Sequence, residues 1–178
     1  AASDVYKRQE ILNRPMTGER PRPPHHLAVR EAGEAAFAFR VPLPLHRAIY
    51  VSDAVGGAAT SLLILAEILG ESERNNRREG LTSALMRHGG QFLQLIEGRR
   101  ADIDRLMDRL RIDPRHENLR LLSDMAVSGR RFGDWPMILA DLTPEAARLL
   151  NGEALDQLSP ARAETLLALA VGVAPVPA

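Results

Sequence analysis

Cysteine is absent from this chain of 178 residues. The protein therefore contains no disulfide bond and no thiolate ligand for zinc, and no cofactor is attached to it through a thioether or a cysteinyl flavin adduct. Any cofactor is held without a covalent bond or through another type of residue.

An excess of charge is also lacking, because 23 Lys and Arg residues balance 23 Asp and Glu residues. Without a basic field to attract phosphates, we do not expect the chain to bind nucleic acid. The sequence has no apolar run of the ~20 residues that a membrane-spanning helix needs and no signal-peptide pattern, so we expect no contact with a membrane and a cytoplasmic location. Its 45% hydrophobic residues are enough for one domain with appendages.

The first part of the chain, residues 1–44, differs from the rest, with prolines scattered among charges and little hydrophobic periodicity. We expect a largely disordered lead-in. Residues 1–9 resemble translated adapter sequence more than native protein and carry no part of the functional argument. The adjacent His25 and His26 have no third ligand in this segment, so we predict no metal site.

From His46 onward, the sequence shows the regular hydrophobic patterns of strands and helices. Residues 46–52 are β-branched and aromatic, which predicts a strand that ends before the turn at Gly56 and Gly57. Residues 60–69 begin with the capping residues Thr and Ser and are then apolar nearly all round, which predicts a helix that is buried on more than one side.

Gly80 precedes two predicted strands, residues 81–87 and 91–97, which a tight Gly-Gly turn joins into a hairpin. A second amphipathic helix follows and stops before Pro114. Two more strands are predicted, at residues 119–127 and 135–139, and the proline in the last one favours a sheet edge.

This order predicts an α+β fold, namely a ferredoxin-like βαββαββ arrangement with a mixed five-stranded sheet and both helices on one face. Thr143-Pro144 and Ser159-Pro160 each indicate the start of a short C-terminal helix. We expect these two helices to cover the opposite face of the sheet.

Gln94 is the most informative residue of the strand at 91–97. Side chains alternate along a strand, so Phe92, Gln94 and Ile96 share one face, and an amide between two large hydrophobic residues needs hydrogen-bond partners. Because an amide carries a donor and an acceptor on one rotatable end, it suits a switch as well as a structural plug. Taken alone, the residue is interpreted first as a core glutamine bonded to backbone or water, because most buried polar groups find such partners.

Several motifs, taken in order, resemble the BLUF family of blue-light sensors that bind FAD. They are Tyr50-x-Ser52, Asn75-Asn76-x-x-x-Gly80-Leu81-Thr82, Phe92-Leu93-Gln94-Leu95-Ile96-Glu97-Gly98, Asp113-Pro114-Arg115-His116 and Arg130-Arg131-Phe132-x-x-Trp135-x-Met137. The resemblance implies a flavin-binding domain over residues 45–140, with the flavin ring between the two helices, and a C-terminal helical extension over residues 141–172.

Tyr50 and Gln94 match the photochemical residues of the family, and the resemblance implies that both contact FAD. A neutral phenol, with a pKa of ~10, has a proton to release when it is oxidised. The implied mechanism is that Tyr50 transiently reduces the light-excited flavin while Gln94 rotates or tautomerises, and a new hydrogen bond to the flavin C4 carbonyl shifts the absorption to the red. Without the family context, Tyr50 is interpreted as a core or interface aromatic.

The remaining site residues also follow from the resemblance. Asn76 matches the asparagine that bonds the polar edge of the flavin ring, and Asn75 matches a neighbour that lines the site. Arg115 and His116 match positions near the carbonyl edge of the ring or its side chain. Trp135 and Met137 match the pair of fifth-strand residues that is implicated in signal output in the family.

The sequence departs from the family pattern in a few places. Ser83 stands where a glycine often follows Leu-Thr, residues 86–88 replace a commonly aromatic stretch, and the loop around Gly56 and Gly57 is slightly long. These departures concern cofactor affinity and switching kinetics rather than family membership.

Because about forty residues follow the last predicted strand, we expect a short photoreceptor that is not an enzyme and passes its signal to a downstream protein. A flavin-free ferredoxin-like protein-interaction module is the alternative. A small-molecule enzyme would need an acid/base pair, for which only Asp53 and His88 offer scattered candidates. RNA binding would need exposed aromatics on the central strands, whereas Phe92 points toward the helices. Homo-oligomerisation through leucine-rich outer helices is left open.

Overall fold

The computed structural model describes residues 44–173. The predicted lead-in at residues 1–44, with its His25-His26 pair, lies outside the described residues except for Pro44. Within residues 44–173, no helix is long and apolar enough to cross a membrane.

The fold is a sheet of five strands with helices on both faces. Its elements are β1 (Leu45–Ala54), α1 (Gly57–Thr60), α2 (Leu62–Glu79), β2 (Thr82–His88), β3 (Gln91–Arg99), α3 (Arg100–Arg111), β4 (His116–Val127), β5 (Ile138–Leu139), α4 (Pro144–Leu150), a 3-10 turn (Leu155–Gln157) and α5 (Pro160–Val171). The strand order is β4-β1-β3-β2-β5. All neighbours are antiparallel except β2 and β5. The predicted ferredoxin-like α+β architecture is therefore confirmed.

Local sequence signals explain where the central elements begin and end. Gly89 and Gly90 both have positive φ, 56° and 75°, as the tight turn between β2 and β3 requires. Helix α2 begins after Ser61, whose side chain accepts a hydrogen bond from the backbone N–H of Ile64. It ends at Gly80, which adopts the left-handed conformation with φ 66°.

Each face of the sheet has its own apolar core. On one face, side chains of β1, β2 and β3 pack against α2 and α3; the buried residues are Ala48, Tyr50, Leu65, Ile68, Leu85, Phe92, Ile96, Ile103, Leu106 and Met107. On the opposite face, the alternate strand residues pack against the C-terminal helices; they include Ile49, Val51, Leu93, Leu95, Leu150, Leu166 and Leu167. The prediction that the two C-terminal helices cover this face is confirmed.

The prediction that helix α2 is buried on more than one side was wrong. Leu65 and Ile68 are buried, but Leu62 and Leu63 are 74% and 79% exposed. Only one stripe of α2 lies against the sheet, so its other apolar side chains face outward.

The last strand is shorter than predicted. Strand β5 contains only Ile138 and Leu139, whereas the sequence predicted residues 135–139. Pro136 has no N–H for a ladder, and its carbonyl accepts hydrogen bonds from the side chains of Asn76 and Ser83 instead. In the first half of this segment, these side-chain contacts and one backbone hydrogen bond, from the N–H of Ser83 to the carbonyl of Trp135, take the place of a regular ladder.

Glu97 connects the sheet to the C-terminal helices. Its fully buried carboxylate accepts hydrogen bonds from Nε and Nη2 of Arg47, at 2.9 and 2.7 Å, and from the backbone N–H of Arg131 at 2.7 Å. Nη1 of Arg47 also reaches Glu164 on α5 at 2.8 Å. One buried acid thus holds together β1, β3, the segment before β5 and, through Arg47, α5.

We expect Glu97→Gln to lower the free energy of unfolding by about 3 kcal/mol, because it removes one charge of a buried, hydrogen-bonded pair and leaves Arg47 with less compensation. Urea denaturation measures the loss. Glu145→Gln is the control, since Glu145 pairs with Arg148 on the surface, and it should change stability by less than about 0.5 kcal/mol. Equal stability of the Glu97→Gln variant and the parent chain would contradict this account.

Candidate flavin site

Tyr50 and Gln94 face each other on neighbouring strands, on the face covered by α2 and α3. They are direct partners in the β1–β3 register, and the Tyr50 hydroxyl donates a hydrogen bond of 2.5 Å to Oε1 of Gln94. Both side chains are buried. No residue within 44–173 accepts a hydrogen bond from Nε2 of Gln94, so this end of the amide is available to an acceptor on a ligand.

The surroundings of Tyr50 keep its phenol protonated. Burial raises the pKa of Tyr50 above its ordinary value, and the negative charge of Asp113 raises it further. The hydroxyl therefore remains a hydrogen-bond donor at neutral pH. Its proton has an acceptor already in place in the Gln94 amide oxygen.

Asn76 lies in the last turn of α2 and is completely buried. Its amide nitrogen donates to the backbone carbonyl of Pro136 at 2.8 Å and to Oγ of Ser83 at 3.0 Å. Because a carbonyl can only accept, the bond to Pro136 fixes which end of the amide carries the nitrogen. The Oδ1 atom is buried and has no hydrogen-bond partner among residues 44–173. An unpaired buried acceptor costs about 1–3 kcal/mol, which favours a ligand with an N–H at this place.

His116, the first residue of β4, lies beside the aromatic part of the site. Its ring centroid is 5.0 Å from that of Phe92 and 6.5 Å from that of Tyr50. Nδ1 forms a hydrogen bond of 2.9 Å with the hydroxyl of Ser52, which is buried on the same face of β1 as Tyr50. Burial lowers the pKa of His116, so its imidazole is neutral at pH 7.

The two remaining residues predicted to contact the cofactor already have polar partners. The Arg115 guanidinium is half-buried, and its Nη2 atom pairs with Asp113 at 2.6 Å and with Glu71 of α2 at 2.9 Å. Asn75 accepts a hydrogen bond of 3.1 Å from Arg78 within the same helix. The structure thus brings Tyr50, Gln94 and His116 together, whereas these two side chains are engaged with charged neighbours.

Trp135 and Met137 occupy different environments. Trp135 is 65% exposed, whereas Met137 packs against the core cluster that contains Phe92. The sulfur of Met137 also lies 3.3 Å from the hydroxyl oxygen of Ser83. The structure therefore places Met137, rather than Trp135, on the inner side of this segment.

The polar contacts that join Asn76, Ser83 and Pro136 were not predicted from the sequence. Ser83 was noted only as a departure from the family pattern. Its position opposite Ile96 in the β2–β3 register places it on the same face as Gln94, and strand alternation could have shown this. The contact between Asn76 and Pro136 joins residues that are 60 positions apart and has no local sequence signal.

Asp53 is one of the candidates for an enzymatic acid/base pair, and both of its carboxylate oxygens already accept hydrogen bonds. Its carboxylate accepts hydrogen bonds from Arg120, Asn118 and Gln91. The bond from Arg120 contributes most to holding the pKa of Asp53 well below its usual range. This carboxylate is therefore a structural ion-pair partner, permanently ionised near neutral pH, and is poorly suited to proton transfer.

We expect the Tyr50 phenol to stay protonated while an exposed tyrosine titrates near pH 10, because burial disfavours the phenolate. Between pH ~10 and its raised pKa, the folded chain keeps a proton that the unfolded chain loses, so stability decreases as the pH rises above about 10. The ¹³Cζ shift of labelled tyrosine measures this, and Tyr6→Phe assigns the Tyr50 signal. A titration midpoint near 10 in the folded protein would refute the proposed burial.

Comparisons with known proteins agree with this geometry. A family model described as sensors of blue light using FAD (BLUF) matches residues 45–138, more than half of the chain. The photoactivated adenylate cyclase subunit beta of Euglena longa is 34% identical over 93 residues, which are 52% of this chain and 11% of that subunit. The subunit from Euglena gracilis matches equally well. The chain thus spans about a tenth of the length of these curated relatives.

Solved structures show the same fold. The dark-state structure of BlrB, a BLUF protein, is 27% identical with a TM-score of 0.61, covering 72% of this chain and 95% of that one. The photo-activated state of BlsA gives a TM-score of 0.67 at 19% identity, with 75% of this chain and 99% of that chain covered. At that identity, the likeness to BlsA supports the fold alone.

The residues present fit a flavin. The polar edge of the FAD ring carries an N–H between two carbonyl groups, and it needs both an acceptor and a donor from the protein. Oδ1 of Asn76 is a buried acceptor without a partner in the described part of the chain. The amide oxygen of the buried Gln94 is bonded to Tyr50, which leaves its amide nitrogen as the donor toward a ligand. The fold and the match over residues 45–138 together show that the chain belongs to the BLUF family, the sensors of blue light using FAD.

Proposed function

We propose that this chain senses blue light through Tyr50 and Gln94 and passes the resulting change to a downstream protein. The observation that carries the proposal is the buried 2.5 Å hydrogen bond between these side chains, whose free amide end has no partner within residues 44–173. Bound FAD supplies the absorption of blue light and, once excited, the oxidising power.

In this proposal, Tyr50 gives up an electron and its phenolic proton and later recovers both. The proton has an acceptor at 2.5 Å, the amide oxygen of Gln94. While Tyr50 is oxidised, Gln94 would either rotate or take up the phenolic proton on Oε1 and release a proton from Nε2 to an acceptor on the bound cofactor, which leaves the imidic acid tautomer. When the electron returns to Tyr50, a proton would return to its phenolic oxygen. In both cases the amide presents a changed set of donors and acceptors to the ring and to Tyr50, because a phenol oxygen can accept as well as donate.

The protein retains this change because the pair lies in a dry site. Phe92 is fully buried beside Gln94 on β3, and the neutral His116 ring lies against it. Water therefore competes poorly for the rearranged hydrogen bond, which contributes about 1 kcal/mol. A difference of this size is enough to shift the populations of two nearby conformations.

We further propose that Asn76, Asn75, Arg115 and His116 complete the cofactor site with Tyr50 and Gln94. The unpaired Oδ1 of Asn76 would accept the N–H of the ring edge. The other three side chains would line the carbonyl edge of the ring or the cofactor's side chain. Residues 45–140 then form the light-sensing domain.

The output route proposed here runs through β3 to the C-terminal helical extension at residues 141–172. Strand β3 carries Gln94 on one face and Leu93 and Leu95 on the other, where they pack against α4 and α5. Its Glu97 is connected to Glu164 of α5 by Arg47. A displacement of β3 would therefore change the outer surface of these helices, where a partner protein can bind.

We propose that the described chain has no catalytic activity of its own. The Euglena relatives are named photoactivated adenylate cyclase subunits, but the match covers 11% of them. The matched residues 45–138 are those of the sensor family. The carboxylate of Asp53 is already held by Arg120.

The absorption spectrum of the purified protein in the dark and after blue illumination tests the sensor proposal. We expect a flavin band that moves reversibly to the red. A flavin band without a shift would contradict light sensing and favour an enzyme. If FAD does not bind after reconstitution, the interaction-module alternative is supported instead.

Tyr50→Phe tests the mechanism. We expect this variant to bind FAD, since the ring remains, and to show no red shift, since the donor of the electron and proton is lost. Tyr6→Phe is the matched control because it removes the only other tyrosine of the chain, and it should shift normally. A normal photocycle in Tyr50→Phe would exclude the proposed role.

Asn76→Ala tests the cofactor site. We expect it to weaken FAD binding at least about tenfold, because a buried acceptor for the ring edge is lost. Gln157→Ala is the control, and its loss should stay below about threefold because this exposed amide is bonded to Asp156, outside the proposed cofactor site. Titration of FAD fluorescence gives both affinities, and circular dichroism verifies folding. Equal affinities of the two variants would refute the assignment of Asn76.

A further inference from the structure

Ser83 is a buried residue to which no role has been assigned so far. It lies on β2 with no exposed surface, on the face of the sheet that carries Gln94, since its partner in the register is Ile96. Its hydroxyl lies between α2 and the segment that precedes β5. A glycine, which is common at this place in the family pattern, would leave this position without a polar group.

The Ser83 hydroxyl has three polar neighbours. It accepts a hydrogen bond of 3.0 Å from the amide nitrogen of Asn76. The carbonyl oxygen of Pro136 lies at 3.0 Å and the sulfur of Met137 at 3.3 Å, both placed to accept its proton. The backbone N–H of Ser83 also donates to the carbonyl of Trp135 at 3.3 Å.

A hydroxyl group has only one proton, so it cannot donate fully to Pro136 and to Met137 at the same time. The carbonyl is the stronger acceptor and the thioether the weaker one. Rotation of the hydroxyl therefore selects which acceptor receives its proton, the Pro136 carbonyl or the Met137 sulfur, while the bond from Asn76 is kept.

We propose that Ser83 is a positioning residue that couples the Asn76 amide to the position of Met137. This inference rests on the proposed function and extends it. Ser83 and Pro136 together occupy both N–H groups of the Asn76 amide, so that its oxygen faces the cofactor. Through the same hydroxyl, Ser83 holds the Met137 side chain in the core. The bond from Asn76 to Ser83 and the contact of Ser83 with Met137 both stabilise the arrangement that the protein adopts in the dark.

Ser83→Ala and Ser83→Gly test this coupling. Because each removes hydrogen bonds that favour the dark arrangement, we expect return from the lit to the dark state to slow about fivefold. Ser83→Thr keeps the hydroxyl and should recover within about twofold of the parent rate. Thr82→Ala is the matched control, since the Thr82 hydroxyl is bonded to Arg130 instead, and its recovery rate should match that of the parent.

A second measurement does not depend on the photocycle. In protein labelled with ¹³C at the methionine methyl groups, we expect the Met137 signal, assigned with Met137→Leu, to shift in Ser83→Ala and to return in Ser83→Thr. Thr82→Ala should leave it in place, even if that variant is less stable. If Ser83→Ala does not fold, the Met137 signal of Ser83→Gly is compared with that of Ser83→Thr instead.

The outcomes separate the two proposals. If the parent chain shows no red shift, the proposed function is wrong, and the Met137 signal alone decides whether Ser83 couples Asn76 to this segment. If the parent shifts while Ser83→Ala and Ser83→Gly keep both the parental recovery rate and the parental Met137 signal, the coupling is refuted.

Discussion

The hydrogen bond between Tyr50 and Gln94 is the constraint on which the proposed light sensor depends. It exists only because β1 and β3 pair in one register, since a shift by one residue would turn either side chain to the opposite face. That register is enforced by two apolar cores, one on each side of the sheet. Tyr50 and Gln94, the proposed photochemical pair, are therefore held in place by the same packing that stabilises the fold.

Strand β3 connects the two faces of the sheet, and this explains how a change at one amide can reach the surface. Gln94 faces α2 and α3, while Leu93, Leu95 and Glu97 face the C-terminal helices. Because close-packed side chains leave little free space, β3 cannot move on one face without displacing contacts on the other. Glu97 strengthens this coupling, because a displacement of β3 would shift or break its hydrogen bonds to Arg47.

Local patterns predicted most of the fold but little of the polar network. Alternation placed Gln94 beside Phe92, and capping residues marked Ser61 and Gly80, because these signals act over a few positions. The burial of α2 was mispredicted, since an apolar helix does not show how much of it the sheet covers. The contact between Asn76 and Pro136 could not be predicted from local sequence patterns, because it arises from tertiary packing alone. The roles of the site residues came from the family resemblance and remain predictions.

The two N–H groups of Asn76 link the proposed cofactor site to the segment before β5. They are bonded to Ser83 and to the carbonyl of Pro136, and these bonds turn the amide oxygen toward the proposed cofactor. If a ligand N–H occupies that oxygen, it favours the amide orientation in which both bonds are made, and so it stabilises the segment before β5. By thermodynamic linkage, this segment must favour ligand binding to the same extent. In the proposed site, cofactor binding and the geometry of the segment before β5 therefore form one equilibrium, which depends on the side chain of Asn76.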